Sequence, residues 1–173
     1  MDLIEVIEMH PGVENAKQLA KIARSEPKYL EQLWEYTHHK KARISRISAW
    51  AMEHCFLEDP ELVKPYIPAM ITRLPEVPTD SLRRHFMKMI HLGGFTPDDY
   101  GILADVSFRW LMDAERPTAV KMYSMLILYE ISRDEPDLKP ELTAVIEDLM
   151  PKATPGLKNC GGKVLRKLYG ESV

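Results

Sequence analysis

Four prolines divide the chain at nearly equal intervals. Pro27, Pro60, Pro97 and Pro136 stand 33, 37 and 39 residues apart, each behind a polar residue (Glu26, Asp59, Thr96, Glu135) and each ahead of an amphipathic run. A proline in the first turn of a helix forfeits no intrahelical hydrogen bond and presets φ, so each marks a helix start. A second ladder interleaves with the first. Ala42-Arg43, Leu82-Arg83, Val120-Lys121 and Leu157-Lys158, each a small or aliphatic residue followed by a cation, are spaced by 40, 38 and 37. Direct self-similarity agrees with the period. Lys64-Pro65 with Ile67, Ala69, Met70, Ile71 and Leu74 returns 75 residues on, two periods later, as Lys139-Pro140 with Leu142, Ala144, Val145, Ile146 and Leu149.

Within each period the apolar spacing is helical. Ile44, Ile47, Ala51 and Cys55 fall on one helix face, as do Leu82, Phe86, Met89 and Ile90, and Val120, Tyr123, Ile127 and Ile131. No run shows the strict alternation of a strand. A helix pair repeated at this length is the unit of an α-solenoid, in which each repeat buries its apolar face only against its neighbours. The reading is therefore all-α, a right-handed α-solenoid of about four helix pairs in one domain over 1–173. First helices are predicted over 27–38, 61–75, 97–114 and 137–150, and second helices over 41–56, 79–92, 117–132 and 154–169. The repeats then cover about 27–56, 61–92, 97–132 and 137–169, with N-terminal capping helices over 2–9 and 13–25, inside 1–26.

These features resemble the HEAT repeats of the armadillo-like superfamily, over roughly residues 27–169. The carriers are Pro68 in the middle of a first helix, the aliphatic positions Ile71 and Leu74, and the aliphatic–cation step that opens each second helix. The resemblance implies a stack with its second helices on the concave side. In typical HEAT units an aspartate in the inter-helix turn pairs with that cation. Here the turn positions hold Thr37, Val77, Glu115 and Lys152, of which only Glu115 is acidic.

Charge is segregated between the two helix sets. The net charge is −3, with 23 Lys+Arg against 26 Asp+Glu. First helices together carry −6 and second helices +8. Residues 36–52, 81–97 and 149–170 contain no acid at all. Several of the cations occupy the first turn of a helix, where the macrodipole disfavours them by about 0.3–1 kcal/mol each. One reading is compensation by neighbouring carbonyl ends or acids. The other is a basic surface for an anionic partner. Helical spacing places Arg43, Arg46 and Trp50 on one face, Arg84, Lys88 and His91 on another, and Lys163, Arg166 and Lys167 near one another. With Lys121 these are the candidate binding residues.

Other signals are weaker. Trp34 and Trp110 read as core. His54-Cys55 and His91 recur 37 residues apart but lack metal-ligand spacing, so no metal or other cofactor is expected. Gly156 to Lys163 resembles a phosphate-binding loop, but it is one residue too long and no strand precedes it. Gly161-Gly162 instead suggests close helix packing or a local break. The carboxylate pairs Asp98-Asp99 and Asp134-Glu135 sit where acids cap helices. Two cysteines are too few for a disulfide framework, and Asp2, Glu5 and Glu8 stand where a signal peptide would be basic. No apolar run is long enough to span a membrane. The expectation is a non-enzymatic cytoplasmic scaffold that binds another protein or an acidic segment. The alternative is a nucleic-acid-binding protein, akin to the DNA alkylation-repair glycosylases with HEAT-like folds, for which Trp50, Trp110 and Asp113 are the residue types required.

Overall fold

The computed structural model describes residues 1–9 and 12–171, and every regular element among them is a helix. Packing divides the chain into two compact units, Met1–Gly93 and Gly94–Val173.

The first unit runs α1 (Leu3–Met9), α2 (Val13–Ser25), α3 (Pro27–Tyr36), α4 (Ala42–Glu58), α5 (Pro60–Val63), α6 (Ile67–Arg73) and α7 (Asp80–Gly93). Helix α4 lies at its centre. It packs against α2 on one side and α7 on the other, while α3 covers α4 and α6 covers α7. The apolar stripe read from the sequence makes these contacts: Ile44, Ile47, Ala51 and Cys55 are at most 1% exposed, and Leu82, Phe86, Met89 and Ile90 are wholly buried. Alanines at 16, 20 and 23 let α2 come close, so that the Cys55 thiol reaches the Ala20 carbonyl at 3.5 Å. The first helix expected over 61–75 is not continuous. Pro65 and Pro68 have no N–H to donate, and a 3₁₀ turn at Lys64–Tyr66 separates α5 from α6.

The second unit contains α8 (Tyr100–Met112), α9 (Thr118–Asp134), α10 (Lys139–Leu149) and α11 (Pro155–Glu171). Short 3₁₀ turns at Pro97–Asp99 and Pro136–Leu138 carry the prolines that mark the helix starts. Asp99 acts as the cap expected of it, its carboxylate accepting the Thr96 N–H at 2.9 Å. Helix α9 packs against α8, α10 and α11. Leu111, Met125, Leu128, Leu142, Ile146 and Leu168 form the centre of the core. Of the two readings of Gly161-Gly162, close packing is the one realised, because α11 continues through both residues. A Cβ on Gly161 would lie 2.4 Å from Met150 Cε and 3.3 Å from Ile146 Cγ2.

That contact makes a prediction. Gly161→Val forces a branched side chain against α10 and lowers stability in urea unfolding by about 1–3 kcal/mol. Adding Met150→Ala recovers part of the loss; a penalty of helix propensity alone would show no recovery.

Candidate functional site

The richest polar cluster of the first unit lies where α4 meets α7. Glu53, in the fourth turn of α4, is only 8% exposed. Its carboxylate bridges the two helices, accepting from His85 Nδ1 at 2.5 Å and from Lys88 Nζ at 2.7 Å. His85 is 1% exposed, and the Arg84 guanidinium approaches its Nε2 at 3.3 Å. Arg84 donates, so Nε2 accepts and the ring proton sits on Nδ1, facing Glu53. Burial opposes a charge on Glu53, but the hydrogen bonds from His85 and Lys88 outweigh it and hold its pKa at about 2. Burial pushes His85 below its ordinary value against the pull of Glu53, which leaves a neutral imidazole beside a carboxylate. The indole of Trp50 closes the cluster. Its ring lies 6.2 Å from those of both His54 and His85, at shallow angles of 26° and 29°.

Around this buried centre the exposed groups are cations. Arg46 lies one turn before Trp50 on α4 and is exposed, and Arg84 is exposed on α7. Trp50, Lys88 and His91 are half-buried. Thus the structure brings Arg46, Trp50, Arg84 and Lys88 into one neighbourhood on two adjoining helices. Lys88 serves the buried carboxylate; Arg46 has no hydrogen-bond or ion-pair partner among the described residues.

Arg43 does something different. Its guanidinium lies 3.4 Å from the carbonyl oxygens of Ile7 and Glu8, at the C-terminal end of α1. Those carbonyls have no intrahelical donor, so a cation there offsets its own unfavourable place in the first turn of α4. Arg73 repeats the device one repeat on, bonding the Thr37 carbonyl and hydroxyl at 2.8 Å each, and Arg83 bonds the Val77 carbonyl at 2.8 Å and Asp80.

In the second unit Lys121 is half-buried on α9, while Lys163, Arg166 and Lys167 are exposed on α11. Lys167 stands over the Tyr129 ring at 5.3 Å. Trp110 is 6% exposed, which leaves no indole face for a base to stack on. Asp113 accepts the Glu115 N–H at 2.9 Å and the Arg116 Nε–H at 3.0 Å, and the first of these leads in lowering its pKa. Among the described residues no group of three or more His, Cys, Asp or Glu could hold a metal ion. Cys55 is a buried free thiol whose pKa burial raises to about 11. No described helix is long and apolar enough to cross a membrane.

A family model described as a HEAT repeat domain matches residues 5–168, nearly the whole chain. The chain belongs to the HEAT repeat domain family. Comparison with curated proteins gave no match, and comparison with solved structures gave none either. The family match extends the HEAT region to include α1 and α2. Where HEAT units use an aspartate–cation pair, this chain seats Arg43 and Arg73 on backbone carbonyls at the ends of α1 and α3, while Arg83 bonds both the Val77 carbonyl and Asp80. HEAT repeats mediate contacts between proteins, and this chain is a scaffold of that kind.

The buried carboxylate sets a measurable pH dependence. The folded pKa of Glu53 is about 2, below its ordinary 4.5, so its contribution is complete above 4.5 and fades as pH falls from 4.5 toward 2. A shift of that size corresponds to about 3 kcal/mol. Glu53→Gln is therefore expected to lose about 3 kcal/mol at neutral pH in urea unfolding. The gap between variant and parent then narrows below pH 4.5.

Proposed function

We propose that the chain is a non-enzymatic scaffold that binds an acidic protein segment on the α4–α7 face of its first unit. The observation that carries this reading is the state of Glu53. Glu53, the acid buried between α4 and α7, is bonded to His85 and Lys88 rather than to Arg46 or Arg84, and Asp80 at the start of α7 pairs with Arg83. Two exposed guanidinium groups thus flank the half-buried indole of Trp50. Guanidinium forks match carboxylates in bidentate pairs, and a Trp beside them offers apolar contact area of the kind that anchors interfaces.

Trp50 stacks near the rings of His54 and His85, and His85 is fixed by Glu53, which limits the side-chain entropy lost on binding. Lys88 adds positive potential without being available as a direct contact. His91, on the same helix, extends the face. Arg43 contributes less, since its guanidinium already lies against α1. The exposed Lys163, Arg166 and Lys167, with Lys121, give the second unit a basic helix of its own, which this reading assigns a supporting role. Cytoplasmic residence belongs to the same proposal, supported by two buried free thiols that fit a reducing compartment.

The test is fluorescence anisotropy with a labelled glutamate-rich peptide. Binding is expected, and Arg46→Glu combined with Arg84→Glu should weaken it at least about tenfold, equivalent to about 1.4 kcal/mol. The same reversal at exposed Arg133 and Lys158 should change affinity less than about threefold, the scale of a rim or long-range charge effect. Equal losses in both pairs would overturn the site. Tight, steeply salt-dependent binding of duplex DNA that excludes the peptide and is lost in the Arg46→Glu, Arg84→Glu variant would overturn the acidic-protein reading.

A further inference from the structure

The second unit carries a separate surface of opposite character, on its first helices. Helices α8 and α10 both pack on α9 but scarcely on each other, and a trough runs between them. It begins as a hollow of about 500 Å³ between the C-terminal half of α8 and the start of α10. It continues past Met112 into hollows of about 370 and 270 Å³ beside Leu149. Met112 lines all three and is 58% exposed, an unusual position for a large apolar side chain. Ala104 and Ala144 give the trough its depth, since neither side chain is large enough to fill it. Phe108 and Val145 supply half-buried apolar area along its length.

The rim is mainly acidic. Asp105, Asp113, Glu141 and Asp148 all border the trough. Asp105 pairs with Arg109 and Asp113 with Arg116. Glu141 and Asp148 are exposed and make no ion pair among the described residues. Arg109 borders the first hollow, paired with Asp105, and the other bordering cations, Lys121 and Lys152, stand at the far end.

We propose that this trough docks a basic amphipathic helix of a partner protein. Three observations select that occupant. The floor is apolar and the unpaired rim charges of the first two hollows, Glu141 and Asp148, are negative, so the complementary ligand has an apolar stripe flanked by Lys or Arg. The walls are two helices whose backbone groups are already bonded internally. An extended peptide would find no edge to pair with and would bury its own unsatisfied N–H and C=O groups, whereas a helix brings them satisfied. The hollows follow α10 from Leu138 to Leu149, about three helical turns, the length over which a third helix can seat apolar residues at i, i+4 and i+7. The surface is independent of the α4–α7 face and opposite to it in charge.

The experiment uses the full chain and a labelled helical peptide of about sixteen residues, with leucines on one face and lysines on the other. Micromolar binding is expected, retained when the glutamate-rich peptide is present. Ala144→Trp, an exposed position, fills the trough without changing charge and should weaken binding at least about tenfold. Glu141→Lys with Asp148→Lys should do the same, while Asp98→Lys with Glu35→Lys, the same charge change at exposed acids that do not border the trough, should cost less than about threefold. Circular dichroism and an unchanged melting temperature verify that the variants are folded. No binding, equal loss in both charge pairs, or full affinity in Ala144→Trp overturns the proposal. Concentration-dependent dimerisation that Ala144→Trp abolishes also overturns it, because a second copy would then be the occupant.

Discussion

Every helix here has one apolar face, and no helix pair can bury that face alone. The first unit depends most on α4, which must satisfy α2, α3 and α7 at once. An element packed on three sides has little room for charge, yet Glu53 sits inside it. Its carboxylate is tolerated because α7 supplies a histidine and a lysine to bond it, and those bonds tie the register of α7 to that of α4. The cost of burying an ion is thereby turned into a positional constraint, and the surface around Trp50 inherits it. The exposed arginines stand on helices whose mutual placement this bridge fixes.

Much of the fold was legible in the sequence for simple reasons. Proline at 27, 60, 97 and 136 marks first-helix starts because its ring suits only that end of a helix, and the structure opens a helix or 3₁₀ turn at each. The apolar stripes through Ile47 and Phe86 are buried as their spacing requires, although Tyr123, in the third stripe, is only half-buried. The interruption at Lys64–Tyr66 was less visible, since one proline in a first helix is a feature of these repeats and a second only sharpens the break.

The candidate site was half legible. Helical spacing puts Arg43, Arg46 and Trp50 on one face and Arg84, Lys88 and His91 on another; the structure sets Trp50 beside His85 and bonds Lys88 to Glu53, while Arg43 turns to α1. Glu53 escaped because it ends an acid-free run and reads as an ordinary surface acid. His85 escaped because a polar residue inside an apolar stripe reads as noise. The signal that would have found both is the repeat itself. Polar partners recur about one period apart: Tyr36 with Asp2, Arg43 with the Ile7 carbonyl, Arg73 with Thr37, Lys88 with Glu53, Tyr100 with Asp134, Thr118 with Thr154. In a stack of repeats, residues one period apart occupy neighbouring layers. Complementary residue types at that offset are therefore contact candidates in a way that local spacing cannot reveal.

The central claim is that Arg46 and Arg84 are held open for an acidic partner. Arginine-selective modification by phenylglyoxal, read by mass spectrometry with and without a saturating glutamate-rich peptide, addresses it directly. The account predicts that Arg46 and Arg84 lose reactivity when the peptide binds, while exposed Arg133 on α9 stays unchanged. Bound peptide with Arg46 and Arg84 as reactive as before would contradict it.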